Sequence, residues 1–167
     1  MSFMKFLVPV TGGARDASAL ATAFAAAKPF GGHVVALFVH ADPREAIPFG
    51  ELPLSPDFVQ ELIDTAADVE RAATDSARST LAAMAAEAGV RLVETPQNCG
   101  TVSVSYEQAT GYLPQVLART ARLYDLTVFP PIRDKDAHDM PDGFARVLVK
   151  ASCPVLLSAE KPLATLG

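Results

Sequence analysis

Cysteine is scarce in this chain of 167 residues. Cys99 and Cys153 sit in unlike surroundings, which excludes a disulfide framework as the means of holding the fold together. A basic surplus is also missing: 14 lysines and arginines face 19 aspartates and glutamates, a net charge of -5. Sequence-independent binding to nucleic acid or to an anionic lipid surface loses its usual drive, so neither is an expected partner. No apolar run approaches the roughly 18 residues of a spanning helix. Met1 to Lys5 lead straight into a strand-like run, without the cationic and long apolar stretches of a signal peptide. The expected location is therefore cytoplasmic. Low-complexity tracts and internal repeats are absent as well.

What the chain has is apolar character. Half its residues are hydrophobic and 20% are charged, a balance that excludes disorder throughout. The length suits one domain able to bury roughly 70% of its unfolded surface. We expect that domain over residues 1–159, with a loop excursion at 41–56 and a loose tail at 160–167.

The apolar runs alternate with helical periodicity. Phe3 to Val10 (FMKFLVPV) has few polar breaks and suits a strand covered on both faces. Gly12-Gly13 stops it. Arg15 to Lys28 follows with a stripe at Leu20, Phe24 and Ala27, and Asp16 is placed to cap it. His33 to His40 (HVVALFVH) is a second strand. Pro43, Pro48, Pro53 and Pro56 punctuate residues 41–56. From Asp57 to Ala88, Leu62, Ala66, Val69, Ala73, Ala77, Leu81, Met84 and Ala88 step by three or four, predicting one long helix. Arg91 to Glu94 reads as a third strand. The alternation at Val102, Val104 and Tyr106 fits either its resumption or a hairpin. Tyr112 to Tyr124 is predicted helical, Leu126 to Phe129 a fourth strand, a helix capped by Asp142 follows, and Pro154 to Ser158 is the fifth. Alternation of this kind implies an α/β fold: a doubly wound five-stranded parallel sheet with helices on both faces. Ligands in such folds lie beyond the carboxyl ends of the strands, where strand order reverses.

FLVPVTGG, HVVALFVH, ARLYDLTVFP and FARVLVKASCPVLLS, in this order, resemble the universal stress protein family from Phe3 to about Ser158. The resemblance implies a Rossmann-like sheet akin to the adenine nucleotide hydrolases, stress-related cytoplasmic expression, and homodimers through the edge strand at 154–158. It also implies a kinship with chains that carry two such domains in tandem. Some members bind ATP. Those carry an aspartate at the end of strand one, and after strand four a glycine, two residues, a glycine, nine residues, then glycine with serine or threonine. Here the first position is Thr11. The first glycine falls on Pro130, followed by Pro131, and the final pair falls on Pro141-Asp142. Proline has no N–H to donate, phosphate cradles need free N–H groups, and an aspartate capping the helix brings its own negative charge. No cofactor is expected to bind tightly, ATP and AMP included. The vestigial cleft would comprise Val10, Thr11, Gly12, Gly13, Val39, His40, Pro130, Pro131 and Asp142.

Thr11 to Ser18 resembles the SGGxDS pyrophosphate loop of ATP pyrophosphatases, with one residue too many before Asp16; a strand-to-helix turn needing small residues and a helix cap accounts for it better. Asp134, Asp136, His138, Asp139 and Asp142 have no calcium-loop register and read as a solvated acidic loop. His40, with Asp42 beyond it, is expected to line the cleft or cap the loop, and His33 to be exposed. Cys153 reads as a small buried hydrophobe and Cys99 as the more exposed thiol. Thr101, Ser103 and Ser105 lack a nucleophile elbow, so no catalytic residue is assigned. Phe49, Leu52 and Leu54 suit a partner surface, a lid over the cleft or a cover for the long helix. Three functions remain open: a non-enzymatic stress-response binding module with an unidentified protein partner, a small-ligand or adenine-nucleotide binder using strand-end backbone at Val10-Thr11 and Val39-His40, and a nucleotide hydrolase.

Overall fold

In the computed structural model, the residues described are 4–41, 55–96, 100–132 and 139–160. Their strands form one sheet of six, β1 (Lys5–Val10), β2 (His33–His40), β3 (Arg91–Leu92), β4 (Ser103–Thr110), β5 (Leu126–Phe129) and β6 (Val155–Leu157). The order is β3-β4-β2-β1-β5-β6 and every pairing is parallel. The doubly wound α/β class is as expected; the strand count is six rather than five. The difference lies in residues 91–110. They form neither a hairpin nor one interrupted strand, but two parallel neighbours, with Arg91 opposite Ser103 and Leu92 opposite Val104. β3 is a two-residue exposed edge, too short to print a periodicity.

Side-chain alternation divides the core into two layers. Phe6, Val8 and Val10 of β1 join Val34, Ala36 and Phe38 of β2 on one face, under helices α1 (Asp16–Ala27) and α2 (Pro56–Ala88). Leu7, Val35, Leu37 and Phe129 face the other way, onto α3 (Leu113–Thr120) and α4 (Asp139–Arg146). Strands covered twice need apolar residues at successive positions, which is why β1 and β2 read as unbroken runs.

Local chemistry sets the helix ends. The Ser55 hydroxyl accepts from the Phe58 N–H, Pro56 fills the first turn, and Gly89 closes α2 with a left-handed φ of 64°. α4 corrects an expectation. It starts at Asp139, so Asp142 is an exposed residue inside the helix and not its cap. Pro141 falls in the first turn, where its missing N–H costs nothing, so the proline does not mark a boundary. A π-helical turn continues it over Val147–Ala151. Residues 42–54, most of the proposed excursion with Asp42, Phe49, Leu52 and Leu54, lie outside the described residues. So do Cys99, Asp134, Asp136, His138 and the tail from 161, and the Asp139 side chain is outside them too.

Candidate nucleotide crevice

Strand order reverses between β1 and β5, and both end at one crevice. A cavity of about 270 Å³ opens there, lined by Thr11, Gly13, Ala14, Arg15, Asp16, Pro130 and Met140. It falls just short of the ~300–1,000 Å³ of ordinary small-molecule sites.

The β1–α1 turn is held by its own carboxylate. Asp16 is 1% exposed. It accepts hydrogen bonds from the backbone N–H of Thr11 at 2.9 Å and of Gly12 at 2.7 Å, and from the Thr11 hydroxyl at 3.2 Å. Burial raises its pKa above 3.8, and the Thr11 and Gly12 N–H groups partly offset that. Donors that an incoming anion would need are thus already taken. Gly12, with φ +78°, answers a different demand: a Cβ there would lie 2.3 Å from the Ala73 carbonyl oxygen of α2, and Ser76 of the same helix donates to the Gly12 carbonyl at 2.8 Å.

Across the crevice, Pro130 is buried and Pro131 half-buried, and neither has an N–H to offer. The Pro131 carbonyl accepts a hydrogen bond from Arg15 Nη1 at 2.6 Å. A cationic side chain therefore ties the first turn to the exit of β5.

No protein-family model matches the chain, and no curated protein matches it. Solved structures do. A universal stress protein family member from Burkholderia pseudomallei is 21% identical, with 93% of this chain and 95% of that one covered at a TM-score of 0.54. UspA from Lactobacillus plantarum is 17% identical, with 95% and 99% covered and a TM-score of 0.57. A family protein from Arabidopsis thaliana with AMP bound is 12% identical, with 93% and 90% covered and a TM-score of 0.52. This is the universal stress protein fold.

Within that fold the expected cleft residues divide. Thr11, Gly13 and Pro130 line one cavity, with Val10, Gly12 and Pro131 beside them. Val39 packs on the α3–α4 layer. His40 turns to α2, its Nδ1 3.0 Å from Glu70 Oε1 and its ring 5.0 Å from that of Phe38; its carbonyl accepts from the Gly111 N–H at 2.9 Å. Asp142 lies on the outer side of α4 in a shallow hollow with Ala145, Arg146, Val149 and Lys150. Gly143, next to it, serves helix packing: a Cβ would meet Leu117 Cδ1 at 2.9 Å. Ala14, Arg15 and Met140 also line the cavity, and nothing local in the sequence announces that they face a neighbouring strand's exit.

His33 corrects another expectation. It is fully buried, with Nδ1 2.8 Å from Ser103 Oγ and Nε2 2.9 Å from Ser105 Oγ. Burial, helped by the charge of Lys5, pulls its pKa down to about 4. The two serines are thus structural partners of an imidazole at the amino end of the sheet, away from the crevice. Cys153 is buried, its Sγ 3.4 Å from the Tyr124 carbonyl oxygen. Among the described residues no group of three or more His, Cys, Asp or Glu is arranged to hold a metal, and no described helix is long and apolar enough to cross a membrane.

Proposed function

We propose that this chain is a universal stress protein of the regulatory, non-enzymatic kind, working in the cytoplasm as a homodimer, with tight ATP binding lost. One observation carries the reading. At the crevice where phosphates would rest, the Thr11 and Gly12 N–H groups are satisfied by Asp16, the Gly13 N–H turns to the Thr11 hydroxyl, and the facing strand exits through Pro130-Pro131. A triphosphate gains its hold from donating main chain and glycine-permitted approach, and little of either is left. Occupation of those donors by a carboxylate also weighs against the pyrophosphatase-like hydrolase, which needs them for the leaving phosphate. Calorimetric titration with ATP tests the reading: we expect a Kd weaker than about 1 mM, and a Kd near 1 μM or below overturns it.

A second reading has one observation in its favour. The Arabidopsis thaliana relative in fold carries AMP, and the crevice here keeps a cavity of about 270 Å³. An adenine nucleotide with a short phosphate tail would be held by strand-end backbone rather than by a phosphate loop. Native mass spectrometry separates the two: a co-purifying nucleotide monophosphate supports the second reading.

The homodimer rests on β6. It is an edge strand of the described sheet, and its Leu157 is 47% exposed. An uncovered apolar edge invites pairing with a second copy.

A further inference from the structure

Helix α2 is far longer than the sheet it covers. Its 33 residues span roughly 50 Å at 1.5 Å per residue, against roughly 26 Å for an eight-residue strand. Two contacts mark where it passes the carboxyl edge of the sheet. Glu70 pairs with His40, the last residue of β2, and the Ala73 carbonyl presses on Gly12, just past the end of β1. All three buried residues of α2, Ala77, Leu81 and Ala85, follow those contacts. The helix before Glu70, roughly 20 Å of it, runs past the sheet.

That overhanging half is not polar all round. Phe58 is 46% exposed and Val69 65% exposed, with Leu62 half-buried between them. At about 100° per residue these three fall within a strip about 40° wide. Beside the strip, Asp57, Glu61, Asp64 and Asp68 recur at helical spacing and form a carboxylate ridge. Within it, Asp64 accepts from Gln60 at 2.9 Å and Asp68 pairs with Arg71 at 2.8 Å, the latter pair over 70% exposed. Like charges at three- and four-residue spacing disfavour a helix. Asp57 in the first turn favours the helix dipole, and the Gln60 and Arg71 contacts offset part of the repulsion, but exposed Phe58 and Val69 add nothing to the helix's own stability.

We propose that this half of α2 is a docking face for a basic amphipathic segment of another protein, its aliphatic residues meeting Phe58, Leu62 and Val69 and its lysines or arginines meeting the ridge. Charge decides the occupant. A second copy would bring an identical acidic ridge, repelled in either orientation, whereas a cationic helix satisfies both features at once. Phe58 supplies the aromatic anchor typical of such contacts, and the ridge supplies steering and register.

The test uses the full-length chain and a fluorescent synthetic peptide with leucines at helical spacing flanked by lysines. Controls are the same composition scrambled and a version with glutamate for lysine. Anisotropy should show saturable binding of the basic amphipathic peptide, weakened at least about fivefold between roughly 50 and 300 mM salt. The Phe58→Ala/Val69→Ala and Glu61→Lys/Asp64→Lys variants should each lose about tenfold or more in affinity, while Leu123→Ala, on another exposed surface, should not. Circular dichroism checks that the variants remain folded. Equal binding of the scrambled peptide, no saturation by about 1 mM, or insensitivity to both double variants overturns the proposal. So does sedimentation showing that Phe58→Ala/Val69→Ala dissociates a wild-type oligomer, which would assign the strip to a second copy.

Discussion

Gly12 and Ala73 approach so closely that a methyl group on the glycine would lie 2.3 Å from the alanine's carbonyl oxygen. The glycine also has a φ of +78°. Gly12→Ala therefore combines a backbone clash with left-handed strain and should cost about 2–4 kcal/mol, read as a lowered melting temperature. A glycine kept for phosphate approach would predict an unchanged melting temperature in the absence of ligand.

Asp16→Ala should also destabilise, by about 1–2 kcal/mol in urea, because the half-buried N–H groups of Thr11 and Gly12 lose their acceptor. Loss below about 0.5 kcal/mol would mean that water replaces the carboxylate at no cost.

His33 makes stability depend on pH in a defined window. Its folded pKa is about 4 against 6.5 for the free group, so between those values the unfolded chain binds the proton that the folded chain refuses. Stability from this group is full above pH 6.5 and falls as pH drops towards 4, by up to about 3 kcal/mol. Asp16 acts in the opposite sense: its raised pKa returns stability as pH falls through that value towards 3.8. An NMR titration should find the His33 imidazole neutral down to about pH 4, and a midpoint near 6.5 contradicts the buried serine bridge.

If β6 carries a dimer, Leu157→Lys should weaken association by about tenfold or more, because a charge at the edge strand opposes pairing. Sedimentation at micromolar protein checks it. A wild-type monomer there, or a Leu157→Lys dimer as stable as wild type, sinks the edge-strand interface.

Much of this molecule was legible residue by residue. The β1 and β2 runs announced a doubly covered sheet because Phe6 to Val10 and His33 to Phe38 are buried at successive positions. The Leu81 stripe announced α2 over most of its length. Pro130-Pro131 spoke against a phosphate cradle through covalent structure alone, since an imino acid lacks the donor in any fold. Tertiary contact decided the rest. His33 looked like a polar strand start, and only the neighbouring Ser103 and Ser105 hydroxyls make its burial tolerable. Asp16 looked like a helix cap, yet its carboxylate turns back onto Thr11 and Gly12. Arg15 gave no signal at all before the exit of β5 came within 2.6 Å of it. Periodicity and missing donors are properties of the chain itself; which acceptor a donor finds depends on segments far apart in sequence, and only packing brings those together.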